Sequence, residues 1–128
     1  MSTEPQTLMT QVGEVSWNEL VTTDVTAAKS FYTGLFGWKT ESFGTGDGYT
    51  LFKQGDASMG GMMKCPKDDV QAHWLPYVTV DDVDASSSKA VKLGARVVAP
   101  PMDVPDVGRV AVLLDPQGAA IGLFKPSA

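Results

Sequence analysis

A chain of 128 residues with 43% hydrophobic and 20% charged residues has the composition of one globular domain. Ten Lys and Arg residues against 15 Asp and Glu residues give a formal net charge of −5. No basic stripe interrupts this acidity, which argues against nucleic acid as a partner. The single Cys65 excludes an intrachain disulfide and a zinc site built from several cysteines.

The first residues, MSTEPQTLMTQ, carry neither a basic start nor an apolar stretch, and the apolar run VAVLL is far too short to span a bilayer. We therefore expect a soluble, cytoplasmic protein with no membrane partner.

The first half of the chain predicts a strand, a helix and three further strands. Val15 to Thr22 has the partly alternating pattern of a strand, and Asp24 is a suitable N-cap for the helix that follows. The helix carries one apolar stripe and ends at Gly37, which suits a left-handed backbone. The stripe consists of Ala28, Phe31, Tyr32 and Leu35, and the three strands are predicted at 38–43, 49–54 and 58–64, with turns at TGDG (45–48) and QGD (54–56).

The second half repeats this order after a polar linker, CPKDDVQA, at 65–72. A strand from His73 to Val80 precedes a helix from about Asp84 to Leu93, which Gly94 ends. The three remaining strands are predicted at 96–98, 107–114 and 119–124.

Two pairs of short motifs indicate that the halves are copies of one unit. Asp24 and its following valine recur 58 residues later at Asp82, and Gly61 recurs 61 residues later at Gly122. Gly122 is unexpected inside a strand, because glycine supplies no side chain to pack. Its presence predicts a bulge or a close approach by another group.

A duplicated unit with D-V-x-A at the first helix, L-F-G-W after that helix and D-P-x-G before the last strand resembles the vicinal oxygen chelate superfamily. This superfamily includes glyoxalase I, extradiol dioxygenases and bleomycin-resistance proteins, and the resemblance covers residues 14–125. It implies one α+β domain over residues 1–128, built from two βαβββ modules at 14–64 and 73–125. Each module would curl a mixed sheet into a half-barrel, with helices on the convex side and a cleft on the concave side. The resemblance also implies a homodimer.

In metal-dependent members of this superfamily, four positions supply His, Glu or Gln side chains to one divalent ion. The matching positions of this chain are Trp17, Gly61, Leu75 and Gly122. None of these side chains can coordinate a metal. We therefore predict no metal cofactor at this place, and a divalent ion only at a displaced site that would use Glu19 and His73.

The remaining candidates are polar or aromatic residues that the resemblance places at the cleft. Glu19 shares a strand face with Trp17 and is either a functional acceptor and general base or a solvated edge residue. His73 is the only histidine and is either a ligand contact or an exposed residue beside the linker. Tyr77, at the position taken to match Trp17, and Phe124 are either core filling or pocket walls. Arg109 is either an anion-steering residue in a loop at the cleft mouth or an ordinary surface arginine.

Two functions remain open at this point, and a mainly structural or partner-binding domain is a weaker third, because two glycines fill the concave face badly. The first is a metal-independent binding protein that holds a small apolar or aromatic molecule in the concave cleft, with a ligand or water beside Gly122. The second is an enzyme of the lyase, isomerase or dioxygenase type that uses Glu19 or a displaced metal.

Overall fold

The computed structural model describes residues 11–43, 48–65 and 69–127 and shows the predicted α+β fold with two βαβββ modules. The predicted turn at 45–48 and linker at 65–72 lie partly outside the described residues. In chain order the elements are β1 (Val15–Thr22), α1 (Val25–Phe36), β2 (Lys39–Ser42), β3 (Thr50–Gln54), β4 (Ala57–Lys64), β5 (His73–Thr79), α2 (Val83–Lys92), β6 (Arg96–Val104), β7 (Gly108–Leu114) and β8 (Ala120–Pro126).

The chain divides into two compact units. The first unit is Trp17–Leu75, and its strands follow the order β2-β3-β4-β1. Strand β1 runs parallel to β4, whereas the β2/β3 and β3/β4 pairs are antiparallel. The register places Glu19 opposite Gly61.

The second unit comprises the described residues of Met1–Ser16 and Pro76–Ala128, with its strands in the order β5-β8-β7-β6. Here β5 runs parallel to β8, and the other two pairs are antiparallel. The register places Tyr77 opposite Gly122. The two glycines of the repeat therefore occupy equivalent places in their modules, as their sequence positions predict.

Both helices begin at the predicted aspartate. Asp24 accepts a hydrogen bond from the Ala27 backbone N–H at 3.0 Å, and Asp82 accepts one from the Ala85 N–H at 2.9 Å. Gly37 ends α1 with φ of 74°, a left-handed conformation that favours glycine. In the described part of the chain, no helix has the length and hydropathy needed to cross a membrane.

Each helix covers an apolar cluster on one face of its own sheet. In the first unit the cluster centres on Leu20, Phe52 and Met62. In the second unit it consists of Val83, Ala111, Leu113 and Leu123. The predicted stripe on α1 is half wrong, because Ala28 and Tyr32 pack on the cluster while Phe31 and Leu35 are more than half exposed.

Strand β6 is longer than the sequence pattern predicts. Arg96–Val98 was the expected strand, yet pairing with β7 continues to Val104 through Pro100 and Pro101. Since β6 is the edge strand of its unit, a proline that cannot donate to a ladder is tolerated there. The register shifts on either side of Ala99 accommodate the interruption.

Candidate functional site

A buried carboxylate lies on the face of β1 that points away from α1. Strand alternation places Trp17 and Glu19 on one face and Leu20 of the helix-side cluster on the other. Glu19 is only 7% exposed and lies in register with Gly61 of β4. A charged residue is rarely buried to this extent without polar partners.

One such partner is the phenol of Tyr49, which precedes β3. The Tyr49 hydroxyl donates a hydrogen bond to Glu19 Oε1 at 3.0 Å, and it accepts one from Trp17 Nε1 at 2.9 Å. The three side chains thus form a directed chain of hydrogen bonds from the indole through the phenol to the carboxylate. Networks of this kind fix the orientation of each member.

The phenol in this chain is held in its protonated form. Burial raises the pKa of Tyr49 above its usual range, and the negative charge of Glu19 raises it further. The hydrogen bond from Trp17 acts in the opposite direction but is the weaker influence. Tyr49 therefore remains a hydrogen-bond donor toward Glu19 at neutral pH.

The space beside each repeat glycine is filled by a tyrosine of the same unit. A Cβ built on Gly61 would overlap the phenol of Tyr49, and one built on Gly122 would overlap the ring of Tyr77. The expectation of a ligand or water beside Gly122 is therefore wrong, because an aromatic ring already occupies that volume. Glycine is required at both places by the close approach of a tyrosine.

The matched positions of the two modules also need correction. Tyr77 lies opposite Gly122 as Glu19 lies opposite Gly61, so Tyr77 corresponds to Glu19 and not to Trp17. Leu75, which is buried, corresponds to Trp17, in agreement with the superfamily positions matched in the sequence. The modules therefore use a carboxylate in one copy and an aromatic ring in the other at the same strand position.

Two other residues predicted to contact a ligand, His73 and Phe124, belong to different units. His73 is half-buried at the start of β5, where its Nδ1 lies 2.8 Å from the Gln71 carbonyl oxygen and donates to it. Phe124 pairs with Thr79 and Val110, and its ring lies beside Gly108. Their contact with a ligand remains a prediction.

Arg109 lies in β7, within the strand predicted at 107–114, and not in a loop. Its guanidinium donates two hydrogen bonds to Asp84 of α2, at 2.9 and 3.2 Å, and one to Asp103 of β6, at 3.0 Å. The interaction with Asp84 shows that Arg109 points toward the helix-bearing face, since Ala111, two residues along β7, also packs under α2. Its charge is thus directed to two aspartates of its own unit, and the predicted place at a cleft mouth is wrong.

The side chains at the four superfamily metal positions do not fit a divalent ion. Trp17 is engaged with Tyr49, Leu75 is an aliphatic core residue, and the two glycines face tyrosine side chains. Within the ranges that the structure describes, no group of three or more His, Cys, Asp and Glu residues is arranged to hold a metal. Glu19 and His73 therefore do not acquire a third ligand of these types there.

Sequence analysis missed Tyr49, which it assigned only to a strand end. Tyr49 is separated from Glu19 by 30 residues and from Trp17 by 32. The available signal was Gly61, since a strand glycine indicates close approach by another group. Identifying that group requires the register of β3 on β4, which places Leu51 opposite Gly61.

This strand order, with one helix packed on each βαβββ module, is that of the glyoxalase-like fold. Comparison with known proteins agrees. The model of the Glyoxalase/Bleomycin resistance protein/Dioxygenase superfamily matches residues 12–123. The chain therefore belongs to this superfamily.

Two curated relatives are similar over most of the chain. The protein named "Putative glyoxylase CFP32" from Mycobacterium bovis is 43% identical over 123 residues, which cover 94% of this chain and 47% of that protein. The "Anthracycline biosynthesis protein DnrV" from Streptomyces peucetius is 34% identical over 130 residues, covering 88% of this chain and 47% of that protein. The chain thus spans about half the length of the curated relatives it matches.

Solved structures share the fold at low identity. A Mn(II)-bound glyoxalase from Novosphingobium aromaticivorans has a TM-score of 0.61 at 18% identity, covering 90% of this chain and 39% of that chain. An extradiol ring-cleaving dioxygenase from B. fuscum has a TM-score of 0.64 at 19% identity, covering 93% of this chain and 34% of that chain. Similarity at this level shows the architecture, whereas function depends on the site.

Proposed function

We propose that this chain binds a small apolar or aromatic molecule on the face of β1 that carries Trp17 and Glu19, without a divalent ion at the superfamily positions. The observation that carries the proposal is the hydrogen-bond chain through Tyr49, which occupies the place beside Gly61. The indole supplies an apolar surface, and the carboxylate supplies an acceptor for a hydroxyl or amine of the ligand.

The ligand class is supported by the residues on this face of β1 and by one relative. Small-molecule sites are largely apolar with a few fixed polar groups, and a buried carboxylate oriented by a phenol is such a group. The relative named for anthracycline biosynthesis is linked by that name to polycyclic aromatic compounds. An aromatic ligand with a hydrogen-bonding substituent is compatible with both.

The proposal is tested with the purified protein by native mass spectrometry and by titration with Mn(II), Zn(II), Ni(II) and Fe(II). A retained organic mass that Glu19→Gln releases, and Glu41→Gln does not, supports it. Glu41 is a suitable control because its carboxylate is largely exposed and pairs with Lys53 at 3.1 Å. Tight uptake of one metal ion per chain contradicts the proposal. Loss of that uptake in Glu19→Gln alone would establish a displaced metal site.

A second candidate is acid/base catalysis by the same residues. It is favoured by the burial of Glu19 beside a phenol that stays protonated, because a base and a proton donor then lie within one hydrogen bond. If the chain is such an enzyme, Glu19→Gln abolishes turnover while ligand binding is nearly unchanged. Equal losses of binding and turnover would favour the binding function.

A homodimer and a cytoplasmic location complete the proposal. The chain has a mass of 13.6 kDa, so sedimentation velocity distinguishes a monomer from a particle of twice that mass. Fractionation of cells that produce the protein tests its location.

A further inference from the structure

A cavity lies in the first unit, on the face of its sheet that carries α1. Asn18 stands between Trp17 and Glu19 on β1 and therefore points to the opposite face. Phe52 belongs to the apolar cluster under α1. The cavity has a volume of about 320 Å³ and is lined by Asn18, Trp38, Phe52, Met59, Gly60 and Trp74.

Three of the six lining residues are aromatic: Trp38, Phe52 and Trp74. The centroids of Trp38 and Phe52 are 5.2 Å apart with planes at 52°, and those of Phe52 and Trp74 are 6.3 Å apart at 40°. Phe52 is 1% exposed and forms the floor, whereas Trp74 is 40% exposed and forms the outer wall. The rings thus surround the cavity from its base to its opening.

Tyr32 of α1 contacts all three rings and fixes their positions. Its hydroxyl accepts a hydrogen bond from Trp74 Nε1 at 3.2 Å, and its ring contacts Trp74 edge-to-face at 5.4 Å. Tyr32 also stacks on Trp38 at 6.0 Å and meets Phe52 at 5.8 Å. Because the exposed indole is fixed before any ligand arrives, little conformational entropy is lost when a ring stacks on it.

We propose that this cavity binds a planar aromatic molecule of one or two fused rings, with one hydrogen-bonding substituent for the amide of Asn18. The volume lies at the lower end of the range for small-molecule sites, about 300 to 1,000 Å³, and so favours a small ring system. No charged side chain is among the lining residues, which favours a neutral ligand. The inference is independent of the function proposed for Glu19, which lies on the other face of β1.

The three tryptophans of the chain provide the readout, because each indole N–H gives its own signal in a ¹H–¹⁵N NMR spectrum. Titration with 2-naphthol is expected to shift the Trp38 and Trp74 signals saturably. The Trp17 signal, on the opposite face and bonded to Tyr49, stays in place. Shifts confined to Trp17 would place the ligand at Glu19 instead and would overturn this inference while supporting the function proposed above.

Two variants test the contacts. Trp74→Ala is expected to weaken 2-naphthol binding about tenfold, the effect of one lost aromatic pair, as followed at Trp38. Leu35→Ala is the control, since Leu35 is a large exposed apolar residue of the same unit outside the lining, and it should change the affinity less than twofold. Asn18→Ala should weaken 2-naphthol binding about fivefold, the loss of one hydrogen bond, and leave naphthalene binding unchanged.

Several results would overturn the inference. One is the absence of a saturable shift at Trp38 and Trp74 up to the solubility limit of 2-naphthol. Another is a stronger response to tetramethylammonium, which would identify a cation site instead. A third is a shift of the same two signals with protein concentration alone, because the surface would then be a contact between two copies of this chain.

Discussion

Replacing Gly122 with alanine would place a methyl group where the ring of Tyr77 now lies. Tyr77 is only 8% exposed, so its ring has little room to move aside. Adding one carbon to a packed interior costs about 1–3 kcal/mol. If the space were open, alanine would instead stabilise the protein by about 0.4–1 kcal/mol, because the unfolded chain loses conformational freedom. The sign of the effect therefore distinguishes a filled space from an empty one.

In urea unfolding, we expect the midpoint of Gly122→Ala to be lower by roughly 1 M when the dependence of the free energy of unfolding on urea is unchanged. Gly34→Ala is the matched control, since Gly34 lies within α1 and a Cβ there would meet no atom within 4 Å. It should raise the free energy of unfolding by up to about 1 kcal/mol. In a Tyr77→Ala background, Gly122→Ala should cost less than about 0.5 kcal/mol. The same cost in both backgrounds would refute the argument.

Three further changes test other parts of the structure. Because burial and Glu19 raise the pKa of Tyr49, the folded protein keeps a proton that the unfolded chain loses near pH 10, and the free energy of unfolding falls above about pH 10. Tyr49→Phe should reduce this fall with pH, as measured by urea unfolding from about pH 8 to 11. An unchanged pH dependence would contradict the raised pKa of Tyr49. Arg109→Gln should lower the urea midpoint of unfolding at low ionic strength but not in about 1 M salt, since exposed ion pairs are screened. A loss of stability that persists in high salt would show that Arg109 has another role. Asp82→Ala should cost about 1 kcal/mol as the loss of an N-cap, whereas a similar cost for its neighbour, Asp81→Ala, would contradict that cause.

The order of helices and strands was predictable because its signals are local, whereas the arrangement of the sheet was an implication of the superfamily resemblance. An aspartate cap depends on the backbone three residues away, as Asp24 and Asp82 show. The left-handed residue that ends α1 is Gly37 itself. Once two such units are recognised as a repeat, the order of strands and helices follows.

The site was only partly predictable because its contacts are not local. Alternation places Glu19 on the same face of β1 as Trp17, and the resemblance to the superfamily identified that face as the one away from the helix. Its partner Tyr49 depends on the pairing of strands that are far apart in the chain, and so does the pairing of Arg109 with Asp84, 25 residues away. Alternation predicts which face a side chain joins, but it does not predict which distant side chain it meets there.

At both glycines this chain differs from the metal-binding pattern in its packing as well as in its residue type. Restoring an acidic side chain at Gly61 would require the phenol of Tyr49 to leave, and with it the hydrogen bond to Glu19. At Gly122 the same change would displace the ring of Tyr77. A single substitution at either place would therefore disrupt the packing of a tyrosine in order to supply a metal-ligating side chain. The glycine and its tyrosine behave as one structural unit in each module, and the polar member of the pair, Tyr49 with Glu19, is where chemistry or recognition is best sought.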